Sequence, residues 1–261
     1  MRTLFVIFIV FLSNGCSNMN NKPDIEIIIR QLIADGRVFC PVFVNGNEIL
    51  YKRYALDKPL VYYSKDGLPY PDPSKIYVFD LSSNTTKRWS GVQYDGYHIA
   101  RNKLYSGEYE EYVRHIPNQL SGDGRYIVSV NEYQEEMVIR RDILIINNMN
   151  NTSINITARL EKKYSSDYYF VFSGWSFDNQ YILIVQSPGD YYSRLYVYCI
   201  KSDSFIEVKR PEDRQKSVIG FSSWSPSENK FVFYVAESTE NSFSTGDAPY
   251  GDLYLGEIKK R

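Results

Sequence analysis

From about residue 37 onward the chain alternates short apolar runs with polar turns, and the alternation repeats at intervals of about fifty residues. A turn followed by an apolar run occurs three times, as Ser121-Gly122-Asp123-Gly124-Arg125-Tyr126-Ile127-Val128, Trp175-Ser176-Phe177-Asp178-Asn179-Gln180-Tyr181-Ile182-Leu183 and Trp224-Ser225-Pro226-Ser227-Glu228-Asn229-Lys230-Phe231-Val232. A β-rich run ending in a polar turn occurs four times, as Ile76-Tyr77-Val78-Phe79-Asp80, Ile143-Leu144-Ile145-Ile146-Asn147, Leu195-Tyr196-Val197-Tyr198-Cys199 and Leu253-Tyr254-Leu255-Gly256-Glu257. Self-similarity at this period predicts one supersecondary unit stacked several times, each copy burying faces that a single copy leaves open.

Each unit reads as four strands, a to d. Strand a leads into the turn (169–172, 218–221), and strand b follows it (126–130, 181–185, 231–235). Strand c is the second run, and strand d follows a polar hairpin (155–157, 205–208). A degenerate first unit has a and b at 38–44 and 48–51, c at 76–80, a turn at Ser82-Ser83-Asn84 and d at 86–89. Its a and b strands are joined by Asn45-Gly46, a dipeptide suited to positive φ at both central positions of a tight hairpin. The last unit has no d strand before Arg261, and the run Ile25-Glu26-Ile27-Ile28-Ile29-Arg30 is expected to supply it. The same run also has a helical face, since Ile25, Ile28, Ile29 and Leu32 align at that period. Residues 91–117 hold either an eroded fifth unit or a long insertion.

Composition agrees with strands. Tyrosine is abundant at 24 residues and aromatics make up 16% of the chain, side chains that suit a pleated surface. The formal charge of −1 excludes a generally basic nucleic-acid binder.

A four-stranded meander has two faces and too little core of its own, and packing such sheets radially covers both. The repeat resembles the TolB-like and tricorn-like propeller family, whose unit reads approximately W-S-P-D-G-K-x-I-A-F followed by I-Y-V-x-D. Trp224-Ser225-Pro226 and Ser121-Gly122-Asp123-Gly124-Arg125 each preserve a different part of that motif, and the resemblance spans about residues 37–259. It implies an all-β fold: a β-propeller of four-stranded antiparallel blades, with four recognisable units, a candidate fifth, and closure by the N-terminal segment. The departure from the family is the blade number, which is usually six or more.

The N-terminus is of another kind. Arg2 precedes the apolar run Leu4–Leu12, then Ser13-Asn14-Gly15-Cys16, the layout of an export signal too short to span a bilayer. A cysteine after a small residue resembles the bacterial lipoprotein lipobox, although Ser13 stands where that pattern prefers leucine. Residues 1–15 are therefore read as a signal peptide, Cys16 as the lipid attachment site, 16–24 as a polar tether and 25–261 as one propeller domain. Simple secretion is the alternative. The expected location is the cell envelope, anchored by lipid on the periplasmic face or the cell surface.

No chemistry stands out. The chain has no Gly-x-Ser-x-Gly, Cys-x-x-Cys, His-x-x-x-His, phosphate loop or EF-hand run, so no catalytic residue, metal site or cofactor is expected. His98 and His115 lack the partners of a hydrolase or ligand set, and read as structural. Cys40 and Cys199 fall in different units and read as buried free thiols, with pairing in an exported chain as the other reading. Trp175 and Trp224 recur at one place and are expected to pack between neighbouring blades. Asn84, Asn151 and Asn155 head Asn-x-Ser/Thr stretches and read as turn residues.

One pattern points to binding. In an up-and-down meander the b–c loops lie at the end opposite the a–b and c–d turns, and here they are the long, tyrosine- and acid-rich ones. They offer Tyr62, Tyr63, Asp66 and Tyr70, then Glu132 and Tyr133, then Asp190, Tyr191 and Tyr192, then Asp247, Tyr250 and Asp252. Tyrosine provides contact area at low entropic cost, and carboxylates suit a basic or hydroxyl-rich partner. Solvated loops in a tyrosine-rich protein explain the same composition.

The leading expectation is a non-enzymatic envelope lipoprotein that binds a protein or peptide; the resemblance to TolB-like proteins, known as envelope-complex partners, implies the same. One alternative is an envelope polysaccharide lyase or hydrolase working through loop-face carboxylates. The other is a degenerate or truncated propeller that pairs through an open blade edge.

Overall fold

The computed structural model describes residues 7–8, 25–53, 75–89, 97–100, 103–106, 119–135, 138–163, 168–188, 194–211, 217–237 and 251–260. Its strands, in chain order, are β1 (Ile7–Phe8), β2 (Ile25–Phe43), β3 (Glu48–Arg53), β4 (Lys75–Asp80), β5 (Thr85–Arg88), β6 (Tyr97–Ala100), β7 (Lys103–Ser106), β8 (Gln119–Leu120) and β9 (Tyr126–Glu135). They continue with β10 (Val138–Asn147), β11 (Ser153–Asn155), β12 (Tyr168–Trp175), β13 (Tyr181–Pro188), β14 (Arg194–Cys199), β15 (Ser204–Glu207), β16 (Ser217–Trp224), β17 (Lys230–Glu237) and β18 (Gly251–Lys260). Every strand pairing is antiparallel.

Units two and three are separate four-stranded meanders, β8 to β11 and β12 to β15. Units four and one are fused into a single sheet in the order β16-β17-β18-β2-β3-β4-β5. The fusion is the work of β2. Its first half, residues 25–30, pairs with Leu255–Lys260 as the fourth strand of unit four. Its second half, Val38–Phe43, pairs with β3 as the first strand of unit one. The Ile25–Arg30 run is thus a strand, with Ile25, Ile27 and Ile29 buried on one face of the sheet. β1 lies along the same strand, pairing Ile7 with Arg30 and Phe8 with Ile29.

The apolar clusters give the packing order. Val128, Ile143 and Ile145 of unit two meet Phe170, Ile182, Ile184 and Tyr196 of unit three. The opposite face of unit three, through Tyr181, Leu183, Leu195 and Val197, meets Trp224, Phe231, Phe233 and the isoleucines of β2 in unit four. The opposite face of unit four, through Val232, Tyr234 and Leu253, meets Val38, Ile49, Tyr51 and Phe79 of unit one. Successive residues of one strand serve the two interfaces, as Phe231 and Val232 do. This is a propeller-like succession of meander sheets packed face on face.

Two expectations need correction. The d strand of unit two stops at Asn155, and Ile156–Lys163 form a helix. Asn155 caps it by accepting the Ala158 amide at 2.9 Å, and Ile156 and Leu160, one turn apart, are fully buried. The Asn45-Gly46 turn has no positive φ; Asn45 instead accepts the amides of Asn47 and Glu48 through its side chain, at 2.8 and 2.9 Å. Within residues 91–117 the described part is one two-stranded hairpin, β6 with β7, that pairs with no other described strand.

Candidate functional site

The two ends of the sheets differ. At one end lie the short a–b turns, and the same four bonds recur there. The amides of Leu81, Asn148, Ile200 and Ile258, each just past a c strand or near its end, donate to the carbonyls of Asn47, Arg125, Gln180 and Asn229, each the last residue of an a–b turn. Within the turns, Ser121 and Ser176 hydroxyls donate to Asp123 and Asp178 at 2.7 and 2.9 Å and accept from the amides of Tyr126 and Tyr181, both at 3.0 Å. The Ser121 bond, ahead of smaller contributions, holds the Asp123 carboxyl below its ordinary range. In the c–d turns, Asn84, Asn151 and Asp203 sit at positive φ of 54°, 55° and 49°, a conformation Asn and Asp tolerate best among residues with a Cβ.

Neighbouring turns are joined to one another. Gly122 donates its amide to Asn179 Oδ1 at 2.7 Å, linking units two and three. Asn229 Nδ2 donates to Asp178 Oδ2 at 2.8 Å, linking units three and four. The Asn45–Asn47 turn of unit one lies against Ser227 of unit four, so closely that a Cβ on Gly46 would collide with Ser227 Oγ. Trp224 closes the same end: its side chain is fully buried, its indole nitrogen donates to the Gly174 carbonyl at 3.0 Å, and its ring meets Phe231 edge-on. Trp175 stacks on Tyr126 across the preceding interface. Both tryptophans thus pack between units as expected.

The b–c connections all leave from the opposite end. Of the residues expected there, Tyr62, Tyr63, Asp66, Tyr70, Asp190, Tyr191, Tyr192, Asp247 and Tyr250 lie outside the described residues, as do Cys16 and His115. Glu132 is in β9, where its backbone pairs with Arg141. Tyr133, 46% exposed, is on the same strand and pairs with Arg140, so in unit two the residues expected in a long loop are strand residues, and only residues 136–137 separate β9 from β10.

Asp252 is a correction. It belongs to β18 and is only 2% exposed. Its carboxylate accepts from the Gly36 amide at 2.8 Å and from Gln31 Nε2 at 3.1 Å, fixing the corner where β2 passes from unit four to unit one. Gly36 takes φ +66° there, and Asp35 pairs with Arg53 at 2.6 Å. Asp252 is therefore part of the framework rather than of an exposed face.

Sequence reasoning missed a second connection between units. The Tyr198 hydroxyl donates to Asp203 at 2.6 Å, and Arg159 of the helix pairs with the same carboxylate, tying unit two to unit three. Burial first, and the Asp203 bond second, raise the Tyr198 phenol above its ordinary pKa. The signal was the helix itself: Asn155 followed by strong helix formers from Ala158 to Lys163.

Cys199 is a buried free thiol. Among the described residues no group of three His, Cys, Asp or Glu side chains is placed to hold a metal ion. No described helix is long and apolar enough to cross a membrane.

No family model matches the chain, and no curated protein matches it. Solved structures similar to it are propeller proteins. TolB from Acinetobacter baumannii is 13% identical over 89% of this chain and 50% of that one, with a TM-score of 0.30. The β-propeller domain of the Trilobed protease from Pyrococcus furiosus is 16% identical over 87% and 57%, with a TM-score of 0.33. The tricorn protease is 9% identical over 93% and 32%, with a TM-score of 0.31. The chain spans between a third and three fifths of the length of these proteins. Scores this low carry no weight for function, and the fold assignment rests on the strand pairing itself.

Proposed function

We infer that this chain is a non-enzymatic propeller-like module of the cell envelope, anchored through a lipid on Cys16, that binds a protein or peptide partner with the end carrying its b–c connections. The observation that supports this reading is the contrast between the two ends. At the a–b end the side chains of Ser121, Asn179 and Asn229 bond their own turn or the neighbouring one. The tyrosines and carboxylates of residues 54–74, 189–193 and 238–250 belong to connections leaving the other end, where Tyr133 is exposed.

The test replaces Tyr191, Tyr192 and Tyr250 together with alanine. Pull-down from native envelope should lose its partner while the melting temperature stays the same; retained capture disposes of the binding face. Anchoring is tested separately: Cys16→Ser should move the protein from the membrane fraction to the supernatant, and unchanged membrane association rejects the lipid.

A further inference from the structure

The turn end contains a cleft of about 390 Å³ at the junction of units four and one. That volume falls at the small end of the range of ligand sites, about 300–1,000 Å³. It is lined by the Asn45–Asn47 turn and Leu81 of unit one, by Ser227, Glu228, Lys230 and Leu255 of unit four, and by Arg30 of β2. Both sides are held by their own hydrogen bonds: in unit four the amides of Ser225 and Lys230 donate to the carbonyls of Lys230 and Glu228 at 2.7 and 2.8 Å. Asn45 bonds its own turn, and the amide of Leu81 donates to the Asn47 carbonyl at 2.9 Å.

The charges in the cleft do not balance. Lys230 is paired with Glu228, which leaves the Arg30 guanidinium with no carboxylate partner among the described residues. The Asn47 carboxamide, exposed on the rim, likewise has no hydrogen-bond partner among them. Leu255, 5% exposed, and Leu81 are the apolar residues of the lining.

We propose that this cleft is a second binding site, for the carboxylate of an acidic side chain in an extended peptide. A single guanidinium forks onto a carboxylate with two parallel bonds, and one uncompensated cation matches one negative charge. The Asn47 amide is placed to bond a peptide backbone, and Leu81 and Leu255 suit an aliphatic neighbour of the acid. A phosphate carries more charge than the one lining cation without a carboxylate partner among the described residues answers. The site lies at the end opposite the tyrosine-rich loops and does not depend on them.

The probes are acetyl-Val-Glu-Val-amide and acetyl-Val-Gln-Val-amide, titrated into the full-length chain and followed by saturation-transfer NMR. The glutamate peptide should bind, and the glutamine peptide should bind about tenfold more weakly or worse. Arg30→Gln should remove the same factor, and raised salt should weaken binding. Lys259→Gln, whose pair with Glu257 lies off the cleft, should change nothing. Equal binding of the two peptides, or full binding by Arg30→Gln, overturns the proposal. Inorganic phosphate that displaces the peptide at equal concentration overturns the peptide as its occupant. If Arg30→Gln does not fold, Lys230→Gln leaves the Glu228 carboxylate beside the cleft and must weaken the glutamate peptide; unchanged binding there rejects the site. Loss of envelope capture in the triple tyrosine variant with peptide binding intact separates the two sites.

Discussion

The turn end and the crossover corner of this molecule are both polar and both join neighbouring units, yet they are built in different ways. The turn end uses residues close in sequence: serine, aspartate and asparagine satisfy the backbone of their own turn, then reach one unit further. The corner uses residues from opposite ends of the chain, with Asp252 of β18 accepting from Gln31 and Gly36 of β2. Local bonds of the first kind form as soon as the hairpin does. The second kind requires the last unit to meet the first strand, so it forms only after a long loop has closed.

The largest expected effect falls at the turn end. Trp224→Ala removes a fully buried indole from the interface of units three and four and leaves the Gly174 carbonyl without its donor. Such deletions cost about 3–5 kcal/mol. Urea unfolding should show that loss, and a cost near zero would mean that the units do not rely on this interface.

Next comes the corner. Asp252→Ala strips the acceptor from two bonds and should cost about 2 kcal/mol. The loss should be local. Hydrogen exchange should accelerate at residues 25–33 and 253–258 while the amides of units two and three keep their protection. Uniform acceleration would show that the corner and the turn end belong to a single cooperative unit, which would erase the distinction between them.

How much of this was legible in the sequence follows the same division. Strands β3, β4, β9, β10, β13, β14 and β17 could be read because alternating buried residues are flanked by turns whose side chains bond locally. The closing role of residues 25–30 was legible too, from the missing fourth strand of the last unit. The corner was not: nothing near Asp252 in sequence announces that its partner is Gly36. It looked like one more acid in a tyrosine-rich connection, and only the fold takes it out of solvent. The helix Ile156–Lys163 was missed because Asn155-Ile156-Thr157 fits a short strand as well as a cap. Arg30 was likewise legible as a strand residue, but not as a cation lining a cleft, since the Ser227–Lys230 side of the cleft lies some two hundred residues away.

A smaller effect separates the conformational part of a turn from its link to the next unit. Asn179 has φ +58° and accepts the Gly122 amide. Asn179→Ala loses both properties and should cost about 1–2 kcal/mol, whereas Asn179→Gly keeps the backbone conformation and should cost about half as much. Equal losses in thermal unfolding would assign the whole effect to the link.

The smallest effect is electrostatic. The Asp123 carboxyl is held below its ordinary range chiefly by the Ser121 hydroxyl, with help from the Arg125 amide at 3.1 Å. A carboxyl depressed on folding adds stability that is present above its unfolded pKa and disappears as pH falls through the folded one. Asp123→Asn keeps the acceptor oxygen but not the charge. Because Asp123 and its ion-pair partner Arg125 are open to solvent, the difference at neutral pH should be about 0.5 kcal/mol or less. Melting temperatures taken from pH 7 downward should fall more steeply for the parent chain below about pH 4, the ordinary carboxylate range, and the two curves should converge at the acid end. Parallel curves would mean that the charge contributes nothing and that hydrogen-bond geometry alone orders the turn. That outcome would make the order of this turn independent of pH.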